Sequence, residues 1–248
     1  NNLPCLRKSS GVCIMPPVIG SFSYPRSWGR VNKITEQDAN GDPVPVYPSY
    51  SQFGIDISNT NSYPGSGSLV YSLDENGNVL QTGTLGGGAN YEVEGGIDTI
   101  YFDGTGDYIS FPSFDFTGQV SFSYWVKLET KANIHTLLAT AGSNDETDGF
   151  KVCVNNWNTD DGRIMMEIGN GVTGGKVLST NGDVVPRDGT TWVMCTYAFS
   201  FEDNVRRFWV NGVEQGTYES QNPASDPKVN GTFYVGAMVG GSYGMKGH

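Results

Sequence analysis

Apolar and polar residues alternate with a period of two along most of the chain. Phe122, Tyr124, Val126 and Leu128 alternate with Ser121, Ser123, Trp125 and Lys127, which predicts a strand over 120–128 with one apolar and one mostly polar face. Ile164, Met166 and Ile168 repeat the spacing, as do Phe233, Val235, Ala237 and Val239. Ile97 to Phe102 leads into an Asp103-Gly104 turn and on to Asp107–Phe111. Trp192 to Ser200 is apolar on both faces, as expected of a strand deep in a sandwich. Asn211-Gly212 separates two strand-like runs and is the strongest short hairpin signal in the chain. No long stretch combines helical spacing with capping residues, and nothing suggests β-α-β units. The pattern predicts an all-β protein, an antiparallel two-sheet jelly-roll sandwich.

Residues 1–50 differ from the domain expected over 51–248. Met15-Pro16-Pro17-Val18 and Asp42-Pro43-Val44-Pro45-Val46-Tyr47-Pro48 are too rich in proline for central strands and predict an extended N-terminal arm. The arm is either a flexible leader or a docking segment for a neighbouring subunit, the latter helped by Phe22, Tyr24 and Trp28. The sequence begins at Asn1 without a signal-peptide pattern, which predicts a processed, trimmed or partial chain.

Composition agrees with strands. Gly accounts for 34 of 248 residues, about twice the usual share of roughly 7%. The formal net charge is −11, and no basic stripe is visible, so nucleic-acid binding is not expected. No segment reaches the roughly 18 apolar residues of a membrane-crossing helix, so membrane insertion is not expected either. Cys153 and Cys195 lie in strand-like runs and are expected to be buried thiols, whereas Cys5 and Cys13 are close enough in sequence to pair if the chain is exported.

Five segments, in order, resemble the concanavalin A-like, laminin-G-like jelly roll. They are Phe102-Asp103-Gly104-Thr105-Gly106-Asp107-Tyr108-Ile109, Phe122-Ser123-Tyr124-Trp125-Val126-Lys127, Thr191-Trp192-Val193 leading to Thr196-Tyr197, Phe208-Trp209-Val210-Asn211-Gly212-Val213, and Phe233-Tyr234-Val235-Gly236-Ala237. A further stretch, Ile55 to Gly67 with its Ser62-Tyr63-Pro64-Gly65-Ser66-Gly67, is similar to the opening of such domains in bacteriophage structural and tail-associated proteins. Proteins of that family usually continue into one more strand where this chain stops, at Met245-Lys246-Gly247-His248. The expectation is that the last strand is missing, because the chain is cut short or because another subunit supplies it.

Candidate chemistry is sparse. The Glu-x-Asp-x-x-Glu strand pattern of related β-glucanases is missing, and Glu92 and Glu94 have no third carboxylate after them, so catalysis is not expected. His135 is expected to be structural, and Gly86-Gly87-Gly88 lacks the lysine and helix of a phosphate loop. The resemblance implies a calcium ion at a sandwich rim, with Asp145, Asp148, Asp160 and Asp161 as candidate ligands and solvated turns as the competing reading. For glycan binding the best candidate is Trp157 among Asn155, Asn156 and Asn158, unless the Trp157 ring folds back as a lid on the core. Trp125 and Tyr243 are secondary glycan candidates, while Trp192 and Trp209 are expected in the core. Together these features predict a non-catalytic structural or accessory virion protein, oligomeric or part of a larger assembly, with an outer surface free for host glycans. The alternative is a secreted or cell-surface carbohydrate-binding module, and the remote one a glycoside hydrolase of the same fold.

Overall fold

The computed structural model describes strand segments within 1–45 and residues 53–248 except 75, 113–118, 131–132, 141–147, 171–173, 201–204 and 222–230. In the N-terminal part β1 (Lys8–Ser9) pairs with β2 (Val12–Cys13), and β3 (Thr35–Gln37) pairs with β4 (Pro43–Pro45). The rest of the expected arm, including Cys5, Phe22, Tyr24 and Trp28, lies outside the described residues.

The remaining strands are β5 (Leu69–Leu73), β6 (Val79–Gly86), β7 (Asn90–Glu94), β8 (Ile97–Asp103), β9 (Tyr108–Phe111) and β10 (Gln119–Val126). They continue as β11 (His135–Ala139), β12 (Asp148–Val154), β13 (Ile164–Asn170), β14 (Gly174–Ser179) and β15 (Val193–Ser200). The chain closes with β16 (Val205–Val210), β17 (Val213–Gln215), β18 (Thr217–Gln221), β19 (Phe233–Val235) and β20 (Lys246–Gly247).

The strands form two layers, and every pairing between them is antiparallel. One layer is a nine-stranded sheet in the order β18-β14-β13-β12-β11-β19-β9-β6-β5. The other joins β10-β15-β16-β17 to β7-β8-β20. The seam between those two parts is made by the last residues. The Lys127 and His248 backbones exchange N–H···O bonds of 2.9 Å each, and Glu129 N donates to Lys246 O at 3.0 Å. Lys246–Gly247 also pairs with Phe102 and Asp103 of β8, so the segment in which a final strand was expected to begin is a strand, inserted between β8 and the end of β10.

The period-two pattern becomes one shared core. Phe122, Tyr124, Val126, Cys195, Tyr197 and Phe208 face Phe150, Val152, Ile164, Met166, Ile168 and Phe233 across the sandwich. Phe122 bridges the layers, its ring 5.8 Å from Phe150 and 5.9 Å from Phe233. Apolar area removed from water at roughly 25 cal/mol per Å² holds the sheets together, and each edge-on or offset ring pair adds about 0.5–1.5 kcal/mol.

Turn residues follow from backbone geometry. Asn211 and Gly212 take φ of 49° and 77°, the left-handed values that a two-residue hairpin turn demands. Gly87 has φ +70°, and a Cβ there would stand 2.2 Å from the Gly106 carbonyl oxygen, so the triple glycine is a site of close backbone approach. Asp107, buried beside it, accepts hydrogen bonds from the Gly88 and Asp103 amides and ties the two loops together. Asp103 caps its own turn by accepting from Thr105 N at 2.6 Å.

Candidate functional site

The two outer faces of the sandwich carry the tryptophans of interest. On the nine-stranded sheet, Phe150, Val152 and Val154 point into the core, so Lys151 and Cys153 of β12 point outward. Met165 and Glu167 of β13 lie opposite them. Lys151 and Glu167 are cross-strand partners joined Nζ to Oε2 at 2.8 Å, and their side chains are only 1% and 2% exposed. Burying both charges costs several kcal/mol per ion unless each is paired and further hydrogen-bonded. The cover is Trp157.

The chain reaches Trp157 by a tight reversal after β12. Asn155 and Asn158 take φ of 69° and 56°, conformations that Asn tolerates better than most residues. Trp157 then folds back over the sheet. Its indole N–H donates to Glu167 Oε1, and the Lys151 ammonium lies 5.5 Å from its ring centroid. The ring also covers a second apolar cluster of Ile134, Ala139, Cys153, Met165, Leu178 and Met238. Tyr243, 38% exposed, meets the Trp157 ring edge-on at 5.1 Å. Trp157 is thus a lid, over an outer cluster rather than over the core between the sheets.

Its polar neighbours serve the same loop. Asn155 is buried; its Nδ2 donates to Asn133 O at 2.7 Å, and its Oδ1 accepts from Gly162 N at 2.8 Å and from Arg187 Nη1 at 2.7 Å. Asn156 Oδ1 accepts from Trp157 N at 2.9 Å and from Lys176 Nζ at 3.3 Å. Asn158 is exposed, its amide N–H bonded to Asn133 Oδ1 at 3.1 Å.

The candidate metal ligands are dispersed. Asp145 lies outside the described residues, and Asp148 is the first residue of β12. Asp160 Oδ1 accepts from Arg187 Nη1. Asp161 Oδ1 accepts from the amides of Asn156 and Arg163 at 3.0 and 3.2 Å, and its Oδ2 lies 3.5 Å from Arg163 Nε. Among the described residues no three or more His, Cys, Asp or Glu side chains gather as a metal-binding group.

The second layer's outer face is arranged differently. Trp125 projects from β10 opposite Met194 of β15 and is 62% exposed. Beside it the Ser123 and Thr196 hydroxyls share a 3.0 Å hydrogen bond. Just beyond the end of β10, Lys127 is buried, bonded to Glu94 at 2.6 Å and 5.8 Å from the Trp192 ring centroid. Lys127 beside Glu94 holds that carboxyl below its ordinary range. Trp192, expected in the core, is instead half-buried and stands 6.1 Å from the His248 ring, while Trp209 is buried but alternates with the core residues Phe208 and Val210. Among the described tryptophans only Trp125 is exposed.

Sequence reading missed Lys151, Glu167 and Arg187. The available signal was one Lys and one Glu, each in the middle of an apolar strand run, where an unpaired charge is unaffordable.

Residues 103–248 match a laminin-G family model described as the concanavalin A-like lectin/glucanases superfamily. No curated protein sequence matches the chain. Similar solved structures include domains LG4-5 of the mouse laminin alpha1 chain, at 16% identity and a TM-score of 0.39, covering 60% of this chain and 37% of that one. They also include a heptameric SAP-like pentraxin from Limulus polyphemus, at 17% identity and a TM-score of 0.36, covering 56% of this chain and 71% of that one. The chain thus spans little more than a third of the laminin chain it resembles.

Proposed function

The chain belongs to the concanavalin A-like lectin/glucanases superfamily, and on that premise we propose that it is a non-catalytic glycan-binding module whose contact residue is Trp125. The fold is compatible with carbohydrate binding or adhesion. The observation that carries the reading is that Trp125 is 62% exposed on a sheet face that also carries the Ser123 and Thr196 hydroxyls. An exposed indole costs free energy in water and offers an apolar plate to the C–H face of a sugar ring, while Ser123 and Thr196 offer donors and acceptors to its hydroxyls.

The non-catalytic part rests on carboxylate chemistry. A glycosidase acid needs its pKa raised, and Glu94 is shifted the other way by Lys127. Glu92 accepts from Asn90 Nδ2 at 3.0 Å. We place the module on a larger surface assembly. As its carrier we propose a virion, on the resemblance read in the sequence of residues 55–67 alone, with a secreted or cell-surface protein as the alternative.

A glycan array followed by titration of the strongest ligand tests the binding reading. Trp125→Ala is expected to lose at least about tenfold in affinity, roughly 1.4 kcal/mol, with melting unchanged, and Trp157→Phe to keep most of it. Full affinity in Trp125→Ala, or release of reducing sugar from the bound glycan, would overturn the proposal. Immunogold labelling of purified particles and of cell envelopes separates the two carriers.

A further inference from the structure

Three side-chain oxygens converge at the rim where the β12–β13 loop meets the segment preceding β15. Asn155 Oδ1, Asp160 Oδ1 and Asp183 Oδ1 all accept from the guanidinium of Arg187, the first at 2.7 Å. Two carboxylates and one amide oxygen, drawn from two loops, are the donors a hard divalent cation would take. Here a planar, permanently charged fork already occupies the convergence point, its side chain 13% exposed.

The loops are built around that occupant. Asp183 N donates to Asp161 O at 2.8 Å, and a Cβ on Gly162 would stand 2.6 Å from Asp183 Cα, so the two segments are in direct contact. Arg187 is fixed from behind, its carbonyl accepting from Thr130 Oγ1 at 2.9 Å, and two residues on Gly189 N donates to Leu128 O at 2.8 Å.

We propose that Arg187 is a tethered cation standing in the place of a divalent metal ion, so that this rim is assembled without calcium and its oxygen cradle accepts calcium only when the guanidinium is removed. Asp160 therefore does not fit a resident calcium ion, because Arg187 supplies the positive charge beside it, and Asp161 is turned to Arg163 instead. The inference is independent of the glycan reading.

Thermal melting of the full chain in chelator and in millimolar calcium chloride tests it, with terbium luminescence as a direct probe of the cradle. Wild type is expected to melt at the same temperature in both and to give no saturable terbium signal. Arg187→Ala is expected to melt several degrees lower in chelator, at roughly 2–4 °C for each kcal/mol lost in a chain of this size, and to recover most of it in calcium. Arg187→Lys keeps a charge in place and is expected to remain indifferent to calcium. If Arg187→Ala does not fold in chelator, its refolding yield with and without calcium gives the same comparison. Saturable stabilisation of wild type by calcium, or an Arg187→Ala protein that ignores calcium, would overturn the proposal.

Discussion

Trp157 and Trp125 both stand on outer sheet faces, yet one is spent on the protein and the other is offered to solvent. Trp157 donates to a carboxylate, sits against an ammonium and roofs an apolar cluster. Trp125 lies on the opposite layer with Met194 across the strand pair and two hydroxyls alongside. Polar neighbours in sequence therefore do not mark an aromatic as exposed. Around Trp157 they are the groups that fasten it down. Around Trp125 the alternation is regular, and the ring is left exposed.

The comparison breaks most readily at the ion pair beneath Trp157. Glu167→Ala leaves the Lys151 ammonium buried without its carboxylate and the indole N–H without its acceptor, and should cost about 3–5 kcal/mol in urea unfolding. Trp157→Ala should cost less, about 2–4 kcal/mol, because the ring is only half-buried. It should also open Cys153, which lies in the cluster under the ring, to thiol reagents. Cys195 faces the core behind Trp125, where burial pushes its thiol up to about 12. It should stay unreactive in Trp125→Ala, and labelling of Cys195 there would mean the second face is not an independent surface.

A smaller effect comes from acid. Burial, then the neighbouring Lys127, lowers the pKa of His248 below its ordinary 6.5. The unfolded chain therefore binds the proton more readily, so this stability is present above about pH 6.5 and is lost as pH falls towards the lower folded value. His248→Gln should flatten the slope of melting temperature against pH in that window, and an unchanged slope would contradict the assignment. The smallest expected change is Trp125→Ala itself, within about 0.5 kcal/mol of wild type in stability.

Much of the fold was legible in the chain because period-two alternation is a local property. Phe122, Tyr124 and Val126 face the core as expected, and Asn211-Gly212 makes the expected turn. The site was less legible. Glu167 meets Trp157 only because β13 lies beside β12 in register, and Arg187 reaches Asp160 across 27 positions. Such contacts depend on strand pairing and loop closure, which a pattern of hydrophobicity does not contain. Trp125, named second to Trp157 as a sugar contact, is the more exposed of the two, a difference hidden in sequence because an aromatic on a polar strand face looks the same whether or not something covers it.

Oxidative footprinting of the tryptophans, with and without a bound glycan, tests the asymmetry most directly. Trp125 should be oxidised fastest among Trp125, Trp157, Trp192 and Trp209 and should be the one that the ligand protects, while Trp157 reacts slowly in both states. Rapid oxidation of Trp157 together with protection there, and none at Trp125, would contradict it.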